Sequence, residues 1–290
     1  MQVSGTKDVK YILLQSINPG APNGGSGTQY FVGSFDGKNF KLDPSFEKGI
    51  AGGKGIWLDF GRDNYAGVTW SDIPKEDGRR LFMGWMSNWD YAQVVPTEKW
   101  RSAMTLPRTL ELVKKDHKYQ LISKPVETLK KIRKTTMELS PTKVENTYPL
   151  PVSNGINLSQ CELNFAVSLP LMKAKEFGIL LENEVGESYR FGYRKSTKHF
   201  FCEREVTKNN DFSPKFAHKR EMAARTTLDP IIEFQIFIDR SSIEIFADNG
   251  ETVLTEIFFP SKPFNQIKLF SKGGDAVFTN FKVYGLKRIW

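Results

Sequence analysis

The sequence predicts an all-β fold. Aromatic residues are abundant and spread along its length, with 22 Phe, 9 Tyr and 6 Trp among 290 residues, and aromatics fit a pleated, half-buried surface. Short β-like stretches recur from end to end, separated by Gly, Pro and Asn. Two dipeptides, Asp36-Gly37 and Asn249-Gly250, stand between alternating stretches, where a tight hairpin turn favours residues that accept a positive φ. At 39% hydrophobic and 26% charged, the chain is expected to be a folded soluble protein of one large or two moderate domains with a sizeable core.

In order along the chain, YILLQS (11–16) and TQYFVGSF (28–35) read as strands. The Asp36-Gly37 turn then leads into KNFKL (38–42). GIWLDF (55–60), YAGVTW (65–70), RRLFMGWM (79–86) and RSAMTLPRTLEL (101–112) continue the pattern. Antiparallel strands at such spacing suit a sandwich, a barrel or propeller blades. Residues 118–140 change character, and KPVETLKKIRK (124–134) mixes charged and apolar residues at helical spacing, so a linker with a short helix is expected there. Beyond 141 nine further β-like stretches follow, from CELNFAVSL (161–169) to AVFTNFKVYGL (276–286), enough for a two-sheet sandwich.

Several function classes are excluded. Asp59-Phe60-Gly61 follows a glycine-rich run, 18–33, as if in a kinase. Only about thirty residues intervene, too few for the catalytic lysine strand, helix glutamate and His-Arg-Asp loop a kinase needs, and no His-Arg-Asp occurs. The run from Gly20 to Gly27 has no lysine and leads into a strand, so it is no phosphate loop. Strands begin on both sides of it, which argues for an ordered loop rather than a flexible linker. His117, His199 and His218 are far apart, and Cys161 and Cys202 are the only cysteines, so neither a metal site nor a disulfide framework is expected. No apolar run approaches the ~20 residues of a membrane span, and the N-terminus lacks the pattern of a signal peptide. The net charge is +8, but the only dense basic run, TLKKIRKTT (128–136), reads as a solvated connector, and no nucleic-acid partner is expected.

Four blocks carry a resemblance: SINPGAPNGGSGTQYFVGSFDG (16–37), WLDFGRDNYAGVTWSDIP (57–74), RRLFMGWMSNWDYAQVVPTEKWRSAMTLPRTLEL (79–112) and IDRSSIEIFADNGETVLTEIFFP (238–260). They resemble glycoside hydrolase family 32, the invertases, levanases and inulinases. The resemblance implies the last blades of a five-bladed β-propeller over residues 1–117, a linker over 118–140, and a two-sheet β-sandwich over 141–290. It also implies β-fructofuranosidase activity on sucrose, levan or inulin with no cofactor or metal, and a fructose-containing oligo- or polysaccharide as partner. The parent enzyme is expected to be secreted or periplasmic.

Three acidic motifs of that family are absent from this chain: Trp-Met-Asn-Asp-Pro-Asn-Gly, Arg-Asp-Pro and Glu-Cys-Pro. Arg62-Asp63 is followed by Asn64, and neither Cys161 nor Cys202 follows a glutamate. Retaining glycoside hydrolysis needs a carboxylate nucleophile and a second carboxylic acid ~5 Å away. The chain is therefore expected to be a C-terminal fragment, inactive alone, whose missing early blades leave strand edge exposed and make it prone to aggregation. The alternative is a non-catalytic carbohydrate-binding sandwich.

What remains would line part of a sugar pocket. The family's Asp-x-Gly-x-Asp-x-Tyr-Ala element matches Asp59, Gly61, Asp63, Tyr65 and Ala66, and a carboxylate can accept two hydroxyl hydrogen bonds. Either aspartate can equally cap a turn beside Gly61. Trp85 matches the family's Gly-Trp element, whose indole borders the sugar; a tryptophan in a strand is otherwise more often core. Trp57, Trp70 and Trp89 read as core or rim. Arg62 can reach an outer sugar or pair with Asp63, and ion pairing accounts for Arg101 and Arg108 as well as function does. The candidate substrate-binding set is Asp59, Arg62, Asp63, Tyr65 and Trp85.

Overall fold

The computed structural model describes residues 1–46, 55–151 and 155–289. Its first sheet comprises β1 (Tyr11–Ile17), β2 (Gly27–Phe35) and β3 (Phe40–Leu42), all antiparallel. The Asp36-Gly37 turn joins β2 to β3: Asp36 Oδ1 accepts the Lys38 and Asn39 N–H groups at 2.8 and 2.7 Å, and Gly37 takes φ +97°. Alternation along β1 sends Ile12 and Leu14 inward, while Tyr11 and Leu13 face solvent.

A second sheet holds β4 (Tyr65–Thr69), β5 (Arg80–Met86), β6 (Ala103–Met104), β7 (Arg108–Lys115) and β8 (Lys118–Pro125). Its order is β4-β5-β7-β8, with β6 on β5. The β7–β8 hairpin turns at Asp116 and His117, both at positive φ (46° and 64°), the backbone that matches the twist of the flanking strands. Phe82, Leu110, Leu112 and Leu121 of this sheet pack with Tyr30 and Val32 of the first to form one core.

After a six-residue 3-10 turn, Glu127–Ile132, come β9 (Arg133–Leu139), β10 (Thr142–Pro149), β11 (Cys161–Ser168), β12 (Glu176–Glu182), β13 (Ser188–Arg194), β14 (His199–Val206) and β15 (Lys219–Ala224). The chain ends with β16 (Ile231–Asp239), β17 (Ser242–Ala247), β18 (Thr252–Ile257) and β19 (Gln266–Leu286). These form one sheet ordered β15-β14-β13-β12-β19-β11-β16-β17-β18, with β9 and β10 also on β19.

The long strand β19 explains the shape of this sheet. It bends at Gly273 and Gly274, both at positive φ, so residues 266–272 pair with β12 while residues 278–285 pair with β11 and 281–286 with β9. The sheet curls into a nearly closed, barrel-like form. Phe234 of β16 thereby meets Phe177, Phe191 and Phe200 from β12–β14 at ring distances of 6.2, 5.5 and 5.9 Å. The rings cross at steep angles, as aromatic quadrupoles prefer. Cys161 and Cys202 lie in this core as free thiols, and burial pushes the Cys161 thiol up to about 12.

Three expectations change. GIWLDF (55–60) is no strand: it makes one bridge, Gln29–Trp57, because its backbone donors go to different sheets, Leu58 to Thr28 and Phe60 to Val253. The helix expected within 118–140 is only the 3-10 turn, and β8 and β9 fill the residues around it. Their lysines hid the alternation that buries Tyr119, Leu121 and Ser123. The QIKLFSK and AVFTNFKVYGL stretches are one strand, β19.

Candidate functional site: an aromatic surface over a buried charge lattice

The segment 59–63 lies along β18, the terminal strand of the large sheet. Phe60 N donates to Val253 O (2.8 Å) and Asp63 N to Thr255 O (3.1 Å). In the other direction, Thr255 N donates to Asp59 Oδ1 (3.0 Å) and Ile257 N to Asp63 Oδ2 (3.0 Å). The carboxylates thus stand in for strand carbonyls opposite alternate N–H groups of β18, and an otherwise bare sheet edge is satisfied. Gly61 is required by this closeness: a Cβ there would sit 2.1 Å from both Thr255 N and O.

Each aspartate also meets an arginine. Asp59 Oδ2 takes bonds from Arg108 (2.8 Å), the Thr255 hydroxyl (2.7 Å) and Asn64 (3.1 Å), while Oδ1 also takes Gly61 N (2.8 Å). Arg108 donates on to Glu244 of β17 at 2.7 Å. Burial raises the Glu244 carboxyl above its ordinary value despite that arginine. Asp63 takes Arg204 of β14 at 3.0 Å and the Tyr91 hydroxyl at 2.7 Å. Arg204 stacks on Phe216, 4.1 Å from its ring centroid.

The Arg204 guanidinium also lies 3.4 Å from Glu256, which accepts from His218 Nε2 (2.9 Å) and Arg62 N (2.9 Å). Burial alone would push Glu256 up, but Arg204 and then His218 outweigh it and hold the carboxyl at about 2. Burial first, and then the charge of Arg204, hold His218 down at about 4. At neutral pH this contact is a neutral imidazole donating Nε2–H to a carboxylate, not an ion pair. Arg62 is equally enclosed: it donates to Asp90 at 2.7 Å and to the Lys215 carbonyl.

Above this lattice lie the aromatic candidates. Tyr65 and Trp85 are register partners on β4 and β5, their rings 6.2 Å apart and edge-on, both partly exposed. Trp85 follows Gly84, where a Cβ would come within 2.5 Å of Asn64 Oδ1. Trp89 tilts against Trp85 at 5.1 Å and is 48% exposed.

The glycine-rich run closes over the same region. Asn23 Nδ2 donates to Phe60 O and Met222 O at 2.7 and 2.9 Å. Asn88 reaches Gly24, Ser26 and Arg62.

The five sequence candidates therefore occupy one neighbourhood with two roles. Tyr65 and Trp85 reach the surface, whereas the Asp59, Arg62 and Asp63 side chains are enclosed with protein partners. Arg108, expected as an ion-pair residue or a functional one, is the partner of Asp59. Sequence reading did not single out Tyr91, Arg204, His218, Glu244, Thr255 or Glu256; an aspartate pair spaced to match alternate strand amides is the one local hint. Among the described residues there is no cluster of His, Cys, Asp or Glu that could hold a metal ion, and no helix long and apolar enough to cross a membrane.

Comparison with known proteins gives a consistent picture. Residues 1–125 match the description "Glycosyl hydrolases family 32 N-terminal domain", and residues 128–285 match "Glycosyl hydrolases family 32 C terminal". The chain is 35% identical to a levanase of Bacillus subtilis (strain 168) over 285 residues, covering 97% of this chain and 40% of the levanase. It is 32% identical to an extracellular exo-inulinase of Aspergillus niger, covering 100% of this chain and 54% of that protein. The chain thus spans about half or less of these relatives' length. The crystal structure of an exo-inulinase from Aspergillus awamori superimposes with TM-score 0.85 at 28% identity, over 100% of this chain and 56% of that one. A β-fructofuranosidase from Schwanniomyces occidentalis, complexed with fructosyl-erythritol, shares the fold with TM-score 0.83 at 23% identity, over 99% of this chain and 58% of that one.

Proposed function

This chain belongs to glycosyl hydrolase family 32, and from that premise we propose that it forms the sugar-facing wall of a β-fructofuranosidase without the reacting carboxylates. The substrates are the terminal fructosyl units of sucrose, levan or inulin. Residues 1–125, to the end of β8, act as the last blades of a five-bladed propeller, and β9 onward as a supporting β-sandwich. The complete enzyme works outside the cell, as the description of the Aspergillus niger exo-inulinase says of that protein.

One observation carries the reading. Tyr65 and Trp85 offer partly exposed aromatic surface, and the two aspartates behind them are committed to arginine, hydroxyl and backbone donors. An indole suits the C–H face of a sugar, with its N–H free for a hydroxyl. A carboxylate enclosed with an arginine and two or more further donors cannot attack an anomeric carbon or deliver a proton to a leaving oxygen. Asp59, Asp63 and Arg62 therefore serve fructose binding from behind, by fixing β4 and the Trp85 region. The retaining reaction draws its nucleophile and acid/base from outside these 290 residues.

A sandwich that binds sugar by itself is less well supported. Among the described residues beyond 141 the exposed large apolar side chains are Leu171, Val185, Leu228, Ile231 and Ile289, none aromatic.

The test is direct. The purified chain is expected to release no fructose from sucrose, levan or inulin, yet to show fructose-dependent changes in tryptophan fluorescence that Trp85→Ala removes. Enzyme-like hydrolysis by this chain, or a fructose response untouched in Trp85→Ala, would sink the proposal.

A further inference from the structure

We propose that Trp89 is a specificity-determining residue, the platform for the glycosyl unit attached to the bound fructosyl residue. This rests on the reading of Tyr65 and Trp85 as the fructose-facing pair and extends it by one sugar.

Trp89 is unusual among the tryptophans near the site in what surrounds it. Trp89 keeps 48% of its surface in solvent, while the backbone on either side of it is anchored: Asp90 N donates to Asn88 Oδ1 and Asn88 O accepts from Tyr91 N and Ala92 N. Trp89 N donates to Ser26 Oγ at 2.9 Å. The neighbouring Asn88 is buried and uses its whole amide: Oδ1 accepts Ser26 N (3.3 Å) and Asp90 N (2.9 Å), and Nδ2 donates to Gly24 O (3.2 Å) and Arg62 O (2.7 Å). That amide lies so close to the glycine-rich loop that a Cβ on Gly25 would fall 1.9 Å from Asn88 Oδ1. A large apolar ring held in place yet left half in water is organised before any ligand arrives, which lowers the ordering cost of binding. Trp70 and Trp100 are comparably exposed, at 43% and 45%, but Trp100 packs on Phe259 and it is Trp89 whose ring lies against Trp85.

The position of the ring gives its role. It tilts 43° against Trp85 at a centroid distance of 5.1 Å, and Trp85 in turn meets Tyr65, so the exposed part of the Trp89 ring adjoins the fructose-facing pair. The polar group beside it is already occupied: Asp90 takes Arg62 on Oδ2 and Lys215 on Oδ1, at 2.7 and 2.9 Å. Recognition at Trp89 is therefore through the C–H face of the sugar rather than a fixed hydroxyl pattern. It should accept a glucosyl or a fructosyl unit alike, and reward length over identity. Asn88 acts as a positioning residue, because it holds Trp89, the glycine-rich loop and Arg62 in one frame.

The experiment titrates the 290-residue chain with fructose, sucrose and nystose by calorimetry, with thermal melts to confirm that each variant is folded. The unmodified chain should bind sucrose and nystose about fivefold more tightly than fructose. In Trp89→Ala that ratio should fall toward one, and Trp89→Phe should keep part of it. If the unmodified chain binds fructose but the ratio is already one, or the ratio is unchanged in Trp89→Ala, the inference is wrong while the fructose-site reading stands. If no sugar binds at all, the fructose-site reading itself fails, and this inference with it.

Discussion

The Asp63 carboxylate receives the Arg204 guanidinium at 3.0 Å although 141 residues separate them, and neither side chain is exposed. The contact joins the segment beneath the aromatic surface to β14 of the large sheet. Arg204→Met leaves Asp63 and Glu256 as buried charges without their shared cation, which is expected to cost about 3–5 kcal/mol. Urea denaturation measures it. Lys262→Met, which breaks the exposed pair with Glu184, should leave the urea midpoint where it was.

Acid should unfold the protein in a specific window. His218 is held at about 4 in the folded chain, against an ordinary value of 6.5. Between those values the unfolded chain takes up a proton that the folded chain refuses. Stability is therefore full above pH 6.5 and declines as the pH falls toward 4, by about 3 kcal/mol for this one group. Glu256, held at about 2, adds a second decline in the same direction, below its ordinary 4.5. The groups facing His218 are Glu256, Arg204 and Arg62. His218→Gln should flatten the slope between pH 6.5 and 4 in a series of thermal melts; an unaltered slope would place the titration elsewhere.

Gly61→Ala tests the approach of the segment to β18. The new methyl meets the Thr255 backbone rather than a movable side chain, so segment and strand must part. A loss of about 2–4 kcal/mol is expected, visible as a lower melting temperature. Gly37→Ala, where a Cβ has open space but φ is +97°, should cost less, about 1 kcal/mol.

The outer face of the first sheet is the solubility liability. Tyr11, Leu13 and Phe35 are 53%, 44% and 42% exposed, and Tyr11 meets Phe35 edge-on at 5.7 Å. Such a patch promotes association. The purified chain is expected to sediment as concentration-dependent oligomers, and Leu13→Lys with Phe35→Lys to shift it toward monomer. A single monomeric species at all concentrations would contradict this.

How much of this could be read from the sequence depends on how local each cause is. Turn chemistry is local, so the hairpin at Asp36-Gly37 and the strands around Asn249-Gly250 were legible. The strands β8, β9, β10 and β15 were not: Lys118-Tyr119-Gln120-Leu121 and Arg133-Lys134-Thr135-Thr136 look like solvated connector until the partner strand shows which face is buried. The β7–β8 turn, Asp116-His117, has a positive-φ backbone without the glycine that would announce it. At the site, Trp85 stood out only through the family resemblance, since a tryptophan in a strand taken alone reads as core; the structure leaves its ring partly exposed beside Tyr65. The commitment of Asp59 and Asp63 was not, since their partners Arg204, Thr255 and Ile257 lie 141 to 196 residues further on.

The laying of segment 59–63 along β18 has a practical consequence for anyone dissecting this chain. The boundary between the two matched regions, at residues 125–128, looks like a natural place to cut. A piece beginning there would carry β18 with the Thr255 and Ile257 amides bare and Glu244 and Glu256 robbed of neighbours. An uncovered strand of that kind recruits whatever strand it meets next. The seam visible in sequence is thus not a seam in stability, and the half-molecule should form fibrils or inclusion bodies where the full chain stays folded.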